Sequence, residues 1–315
     1  MKNISMIRGK LTFTGFTAIV KTMNHPPAES VKNRREREKG VLVYPVYSRR
    51  AGGLSVGINL FPDRKQCSFD CPYCEVFPFS TDAVFSIKQM EEDLRSVLTA
   101  VTERNIPVKD ICFSGNGESS LSAFFPQALE KAGRIRSEIT SDAGLVLITN
   151  GTGLSQPAVF SLLRDAALEY PLDIWLKLDA GTSGWYQKMN RAKIPFENHI
   201  EKIKEFATCA PFTIQTMLCL AGGEKPPEEE VRAWENLVVE LCDIGAAAAA
   251  VGVGGGIRKV QIYGKARPSP GDAVGDSALP AEYLEERASS LRWAFNSSLL
   301  FSHSPLSFPQ VEVYP

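Results

Sequence analysis

This chain has no apolar run of the ~18 residues that a membrane-spanning helix requires. The mildly apolar stretch from Thr12 to Val20 stops at Lys21 and carries no small-residue cleavage signal. Histidine is scarce, with three in 315 residues, and His25 and His199 stand alone. That leaves no pair of histidines for a zinc site of the two-Cys, two-His kind. An excess of charge of one sign is missing too: 35 Lys and Arg meet 36 Asp and Glu, for a net charge of −1. No global pull toward nucleic acid or an anionic membrane follows from that balance. Seven cysteines, an odd number and none before Cys67, do not make a secreted disulfide framework. The expectation is therefore a cytoplasmic protein with no membrane partner. The glycines of Val251 to Gly256 are followed by no Lys-Ser/Thr, so they form no phosphate-binding loop. They predict a flexible or tightly turning connection, together with the preceding run Ala246 to Ala250.

What the sequence does have is a concentration of thiols. Cys67, Cys71 and Cys74 fall within eight residues, spaced C-x3-C-x2-C. Thiolate sulfur is a soft donor suited to zinc or iron–sulfur clusters. A structural zinc site wants four protein ligands, and no second cysteine pair exists here. Three thiolates without a fourth fit a [4Fe–4S] cluster with one iron left open. Three incidental cysteines or a partial zinc site is the alternative reading. Cys112, Cys209, Cys219 and Cys242 are scattered singly among apolar residues and read as buried free thiols.

Around this loop, strand-like and helix-like segments alternate. Residues 1–40 show little pattern and end in the mixed-charge run Asn33 to Lys39, read as a solvated arm; Met23 is an alternative start. Strands are predicted at 54–61, 108–113, 144–149, 173–179, 212–220 and 259–263. Helices with apolar residues at helical spacing are predicted at 85–103, 124–139, 156–168, 197–206, 228–242 and 281–295. Six such units argue for an α/β fold, a partial (β/α)6 barrel of parallel strands with outer helices. The core barrel is placed at 41–295, and 296–315 is expected as an irregular tail packing on it.

The open-iron cysteine loop, with Tyr73 as the aromatic before its third cysteine, resembles that of the radical S-adenosylmethionine (SAM) superfamily. Pro45-x-x-Ser48-Arg49-Arg50 and Leu54 to Ile58 resemble, more narrowly, a group related to wyosine-forming tRNA-modifying enzymes. Asp179-Ala180-Gly181, Met189-Asn190-Arg191 and Tyr263 to Pro268 are similar to segments of the same group. The resemblance spans about residues 41–270. It implies that Cys67, Cys71 and Cys74 hold a [4Fe–4S] cluster, and that SAM is bound by Gly115, Asn116, Gly117 and Glu118 after the second strand. It also implies Asn150 of Thr149-Asn150-Gly151 as a contact to the SAM carboxylate or ribose. Wyosine synthases carry further N-terminal cysteines for a second cluster, which this chain lacks.

In β/α barrels the working residues sit at the carboxyl ends of the strands. Lys177 and Asp179, two apart on a strand, point to one face and are read as facing cofactor in the barrel or as a structural ion pair. Gln215 and Met217 share a face in the same way. Arg191 is read as a clamp for a carboxylate or phosphate. Arg49 and Arg50 are read as surface charges or as neutralising an anionic cluster or substrate. Trp175, Trp185, Trp234 and Trp293 are expected in the core or in helix packing. The expected function is reductive cleavage of SAM to a radical that takes hydrogen from an unidentified substrate, with flavodoxin or ferredoxin as electron donor and no catalytic residue assignable. Base modification of tRNA of the wyosine type, or a non-catalytic electron-transfer protein, are the alternatives. Tight tRNA binding is not expected, because Arg34, Arg35 and Arg37 alternate with Glu36 and Glu38 and no aromatic side chains interleave.

Overall fold

The computed structural model describes residues 40–170, 172–267, 269–270, 277–299 and 309–315. The expected N-terminal arm, with Arg34, Arg35 and Arg37, lies outside the described residues. Eight strands follow chain order in one mixed sheet with helices outside it, a partial β/α barrel. Two compact units divide the chain. The first comprises residues up to Gln66 together with Val76–Leu145, the second Cys67–Glu75 together with Val146–Pro315.

In the first unit, β1 (Val43–Ser48) and β2 (Gly53–Ile58) form an antiparallel pair, and β2 runs parallel to β3 (Val108–Phe113). Every residue of β2 is buried, as expected of a strand covered on both faces. β1 was not expected, because Pro45 within it reads as a breaker. It survives as an edge strand, where a missing N–H costs no ladder bond. Arg49 and Arg50 lie in the turn between β1 and β2, closed by Gly52 N–H donating to Arg49 O at 3.2 Å. They therefore sit at the amino end of β2, a whole strand from the carboxyl end that leads to the cysteines. Two helices complete the unit. α1 (Ile87–Thr102) starts at Ser86, whose hydroxyl accepts from Gln89 N, and α2 (Phe125–Ile139) starts with Pro126 in its first turn, where a missing N–H is harmless.

In the second unit β4 (Gly144–Thr149, its first two residues in the first unit) leads to α3 (Pro157–Glu169), β5 (Leu172–Lys177), α4 (Ser183–Met189) and α5 (Phe196–Ala207). There follow β6 (Pro211–Leu218), α6 (Glu228–Ala250), β7 (Gly256–Gly264), α7 (Ala281–Leu299) and β8 (Gln310–Tyr314). One face of β5–β7 is apolar and fully buried through Ile174, Leu176, Phe212, Ile214, Val260 and Ile262, and Phe206 of α5 packs on Phe212 at 5.8 Å. The opposite face is polar. Lys177, Gln215, Gln261 and Glu312 are direct register partners across four parallel strands. Gln215 Nε2 donates to Gln261 Oε1 at 2.7 Å and Gln261 Nε2 to Glu312 Oε2 at 3.1 Å, so buried amides are paired rather than orphaned.

Three expectations need correcting. Ala246 to Ala250 continue α6 instead of forming a loop, because alanine is the best helix former and outweighs the proximity of the glycines. The tail ends in β8, paired parallel with β7 from Lys259↔Gln310 to Tyr263↔Tyr314, not in irregular chain. Trp293 is 72% exposed; its helix turns it outward. Trp175, Trp185 and Trp234 are buried. No helix among the described residues is long and apolar enough to cross a membrane.

Candidate metal centre

The cysteine loop 67–75 belongs to the second unit although the chain on both sides of it belongs to the first. Side chains at the carboxyl ends of β4 and β5 hold it there. Ser68 Oγ meets Thr152 Oγ1 at 2.5 Å and accepts from Asn150 Nδ2 at 2.9 Å. Tyr73 donates its hydroxyl to the Asp179 carboxylate. Asp70 N–H donates to Asn190 O at 2.9 Å. Two aromatics fasten the loop by burial: Phe69 and Tyr73 enter an apolar cluster with Trp185, Tyr186, Met189 and Met217.

Asp179 is the hub of this arrangement. Its carboxylate accepts from Tyr73, from Asn190 Nδ2 at 2.8 Å and from Met217 N–H at 2.9 Å, and its Oδ1 lies 3.4 Å from Lys177 Nζ. The expected sharing of one face by Lys177 and Asp179 is thus realised as an ion pair. Lys177 also donates to the Tyr263 hydroxyl, with its ammonium 4.9 Å from the Tyr73 ring centroid and 5.0 Å from that of Tyr263, within cation–π range. Burial pulls the Lys177 ammonium down, but Asp179, Tyr263 and Cys71 outweigh it and hold the group above its ordinary range. Burial and the Asp179 charge push the Tyr73 phenol up. Lysine stays charged and tyrosine neutral. Glycine is required just beyond: a Cβ on Gly181 would stand 2.0 Å from Trp234 N in the backbone of α6.

Cys67 is exposed, and Cys71 and Cys74 are half-buried. Two of the sulfurs meet side-chain amides: Asn150 Nδ2 lies 3.5 Å from Cys67 Sγ and Asn190 Nδ2 lies 3.6 Å from Cys71 Sγ. Burial, then Asp179, push the bare Cys71 thiol up to about 11, against the pull of Lys177, Tyr73 and Asn190. A thiol so placed becomes a thiolate when a metal takes the proton's place. Among the described residues no three His, Cys, Asp or Glu side chains are arranged to hold a single metal ion. A four-iron cubane accepts thiolates spaced wider than one ion does. Three thiolates on one anchored loop, two of them facing N–H donors, fit an iron–sulfur cluster.

The segment Gly115–Glu118 lies in the first unit and is described there by itself. Asn59, which carried no sequence signal beyond being polar at a buried strand end, organises it. Its Oδ1 accepts from Phe61 N–H at 3.1 Å and Asn116 N–H at 3.2 Å. Asn116 spends its own amide on Phe61 O at 3.2 Å, and Gln66 N–H donates to Asn116 O at 2.9 Å. Gly117 is where the two stretches touch: a Cβ there would stand 1.9 Å from Gln66 O. Glu118, buried, accepts from Ser120 N–H at 3.3 Å and Ser120 Oγ at 2.6 Å, capping the short turn that follows.

Two residues near the loop were missed. Asn190, which ends α4, carried a signal only through the Met189-Asn190-Arg191 segment. His199 is 2% exposed with no hydrogen-bond partner for Nδ1, and it packs against Phe69 at 5.8 Å and Tyr186 at 5.7 Å. Arg191, read as an anion clamp, adopts a left-handed φ of 47° and reaches Asp70 at 3.8 Å, with both side chains well exposed. Gln215 pairs with Gln261, and Met217 packs in the apolar cluster.

Burial holds the His199 imidazole down at about 4, against an ordinary 6.5. The unfolded chain takes up this proton near 6.5 and the folded one only near 4. Stability from this group is therefore complete above pH 6.5 and is lost as pH falls toward 4. At about 1.4 kcal/mol per unit, the loss is about 3 kcal/mol. Urea unfolding of cluster-free protein at pH 7 and pH 4.5 checks this, with His199→Phe expected to remove most of the difference. Equal acid losses in the two proteins would clear His199 of the effect.

The chain is 26% identical over 162 residues to a "UPF0026 protein" of Helicobacter pylori strain 26695, covering 51% of this chain and 48% of that protein. It is 28% identical over 167 residues to its counterpart in strain J99, again covering 51% and 48%. The chain thus spans about half the length of the curated relatives it matches. Among solved structures it is similar to a radical SAM methyltransferase from Sphaerobacter thermophilus, with a TM-score of 0.56, 11% identity, and coverage of 86% of this chain and 69% of that one. The likeness is one of fold. No family model matches the chain.

Proposed function

We propose that this chain is a radical SAM enzyme, with Cys67, Cys71 and Cys74 as the cluster ligands. The observation that carries the reading is the anchoring of the C-x3-C-x2-C loop to the carboxyl ends of β4 and β5 through Asn150, Thr152 and Asp179. That is the end of a β/α barrel at which chemistry is built, in a fold like that of a radical SAM methyltransferase. When bound, the reduced cluster and SAM supply one-electron cleavage to methionine and a 5′-deoxyadenosyl radical that takes hydrogen from a substrate.

The chain's own residues do the rest. The three thiolates bind, and the Ser68, Asp70 and Tyr73 hydrogen bonds fix the loop that carries them. Phe69 and Tyr73, sealed against Trp185 and Tyr186, keep water from its inner side. Lys177 keeps its proton and offers a fixed positive charge beside Cys71. Glu118, Asn150 and the Gly115–Gly117 turn are assigned to SAM by the resemblance, and this remains part of the proposal. An electron donor of the flavodoxin or ferredoxin class and an unidentified substrate complete it.

The test is anaerobic reconstitution with iron and sulfide, then incubation with SAM and dithionite. Release of 5′-deoxyadenosine and methionine in equal amounts is expected. Glu118→Ala should keep its iron and lose SAM affinity by roughly ten- to a hundredfold, the worth of a charge-assisted hydrogen bond. A cluster that forms and never cleaves SAM would make the chain an electron-transfer protein instead.

A further inference from the structure

We infer that Asn150 and Asn190 are positioning residues that raise the reduction potential of the cluster by donating N–H···S hydrogen bonds to Cys67 and Cys71. This rests on the cluster assignment above and adds to it which residues make the cluster reducible. The two amides come from separate places, the carboxyl end of β4 and the end of α4. Both are buried, at 4% and 1% exposure, where a polar contact is worth more than in water.

Which end of each amide faces sulfur is decided by its other partners. Asn150 Oδ1 accepts from Thr152 N–H at 3.0 Å and from Thr152 Oγ1 at 2.8 Å, so the NH2 end is the one turned to Ser68 and Cys67. Asn190 Nδ2 donates to Asp179 Oδ2 at 2.8 Å, and only the nitrogen end of an amide can donate to a carboxylate. Flipping Asn150 would set its NH2 against the Thr152 N–H, and flipping Asn190 would set oxygen against the Asp179 carboxylate. The assignment of N–H toward Cys67 Sγ at 3.5 Å and Cys71 Sγ at 3.6 Å therefore follows from the network.

Reduction adds one electron, and the added negative charge spreads onto the cysteine sulfurs. A donor aimed at sulfur stabilises the reduced state more than the oxidised one and moves the potential upward. Asp179, whose charge lies on the same side, opposes reduction. Asn190 spans the two, one N–H on Asp179 and one on Cys71, and so places donor hydrogens between the carboxylate and the sulfur.

The experiment is a potentiometric titration of the reconstituted protein without SAM, with the reduced cluster counted by electron paramagnetic resonance. Asn150→Ala and Asn190→Ala should each lower the reduced-to-oxidised ratio at a fixed potential by about tenfold, equivalent to about 59 mV for a one-electron couple. Iron content should be unchanged. Asn150→Asp and Asn190→Asp keep the side-chain shape without the donor and should move the potential the same way. They decide the matter if an alanine variant fails to hold iron. Ser68→Ala removes a loop anchor whose hydroxyl bonds Thr152 and Asn150 and should leave the potential in place. Iron-replete asparagine variants with the wild-type potential, or a Ser68 variant that shifts it as much, would overturn the inference. A wild-type protein that takes up no cluster would instead bring down the assignment on which it stands.

Discussion

Alanine at any one of Cys67, Cys71 or Cys74 should reduce iron retention after anaerobic reconstitution to background. The three sulfurs share one loop, and no described group offers a replacement ligand set. The spare thiols are badly placed for substitution. Cys209 hangs on the end of α5, with its sulfur against Glu205 O and Phe206 O at 3.7 and 3.5 Å, and Cys242 is buried within α6. Cys219 is 1% exposed within the apolar cluster of Phe69 and Tyr73, outside the cysteine loop. Cys209→Ser, Cys219→Ser and Cys242→Ser should therefore reconstitute like the unaltered protein. Iron and sulfide analysis of all six proteins checks the assignment, which fails if the two sets of variants retain iron alike.

Asp179→Ala should be the most destabilising single change outside the apolar core. Its side chain is 0% exposed and that of Lys177 only 13%, so truncation leaves an ammonium in a dry site, donating to the Tyr263 hydroxyl with no carboxylate beside it. Removing one member of a buried pair costs about 3–5 kcal/mol. Met217 N–H, the Tyr73 hydroxyl and one N–H of Asn190 lose their acceptor in the same step. Urea midpoints should show the loss, and the double variant Asp179→Ala/Lys177→Met should recover part of it, since the stranded charge is gone. A double variant no more stable than Asp179→Ala would mean that the cost lies in the lost acceptor and not in the ion pair.

Much of this was legible in the sequence because it depends on local pattern. The strands at 108–113 and 144–149 are found where alternation and turn residues put them, and the thiol spacing announces itself. Lys177 and Asp179 share a face for the reason that any residues two apart on a strand do. What could not be read depends on partners far away in the chain. Asp179 could be matched with Lys177, but nothing local says that Tyr73, 106 positions earlier, would donate a hydrogen bond to it. Asn190 lies 119 positions from Cys71, and a single asparagine after a short helix has an ordinary reading as a cap. β8 was missed because five residues with alternating polarity after a Ser- and Pro-rich stretch look like a tail until a neighbouring strand receives them.

The allotment of residues 67–75 to the later part of the chain has a consequence for synthesis. The thiols leave the ribosome long before the residues that fasten them: 119 positions separate Cys71 from Asn190. At elongation rates of about 5–20 residues per second that interval is roughly 6–24 s. Asn150 and Asp179 appear only late in that interval and Asn190 at its end, so for most of it the nascent loop has none of its anchoring side chains to close on. The anchoring of the loop is thus complete only once α4 and Asn190 have emerged.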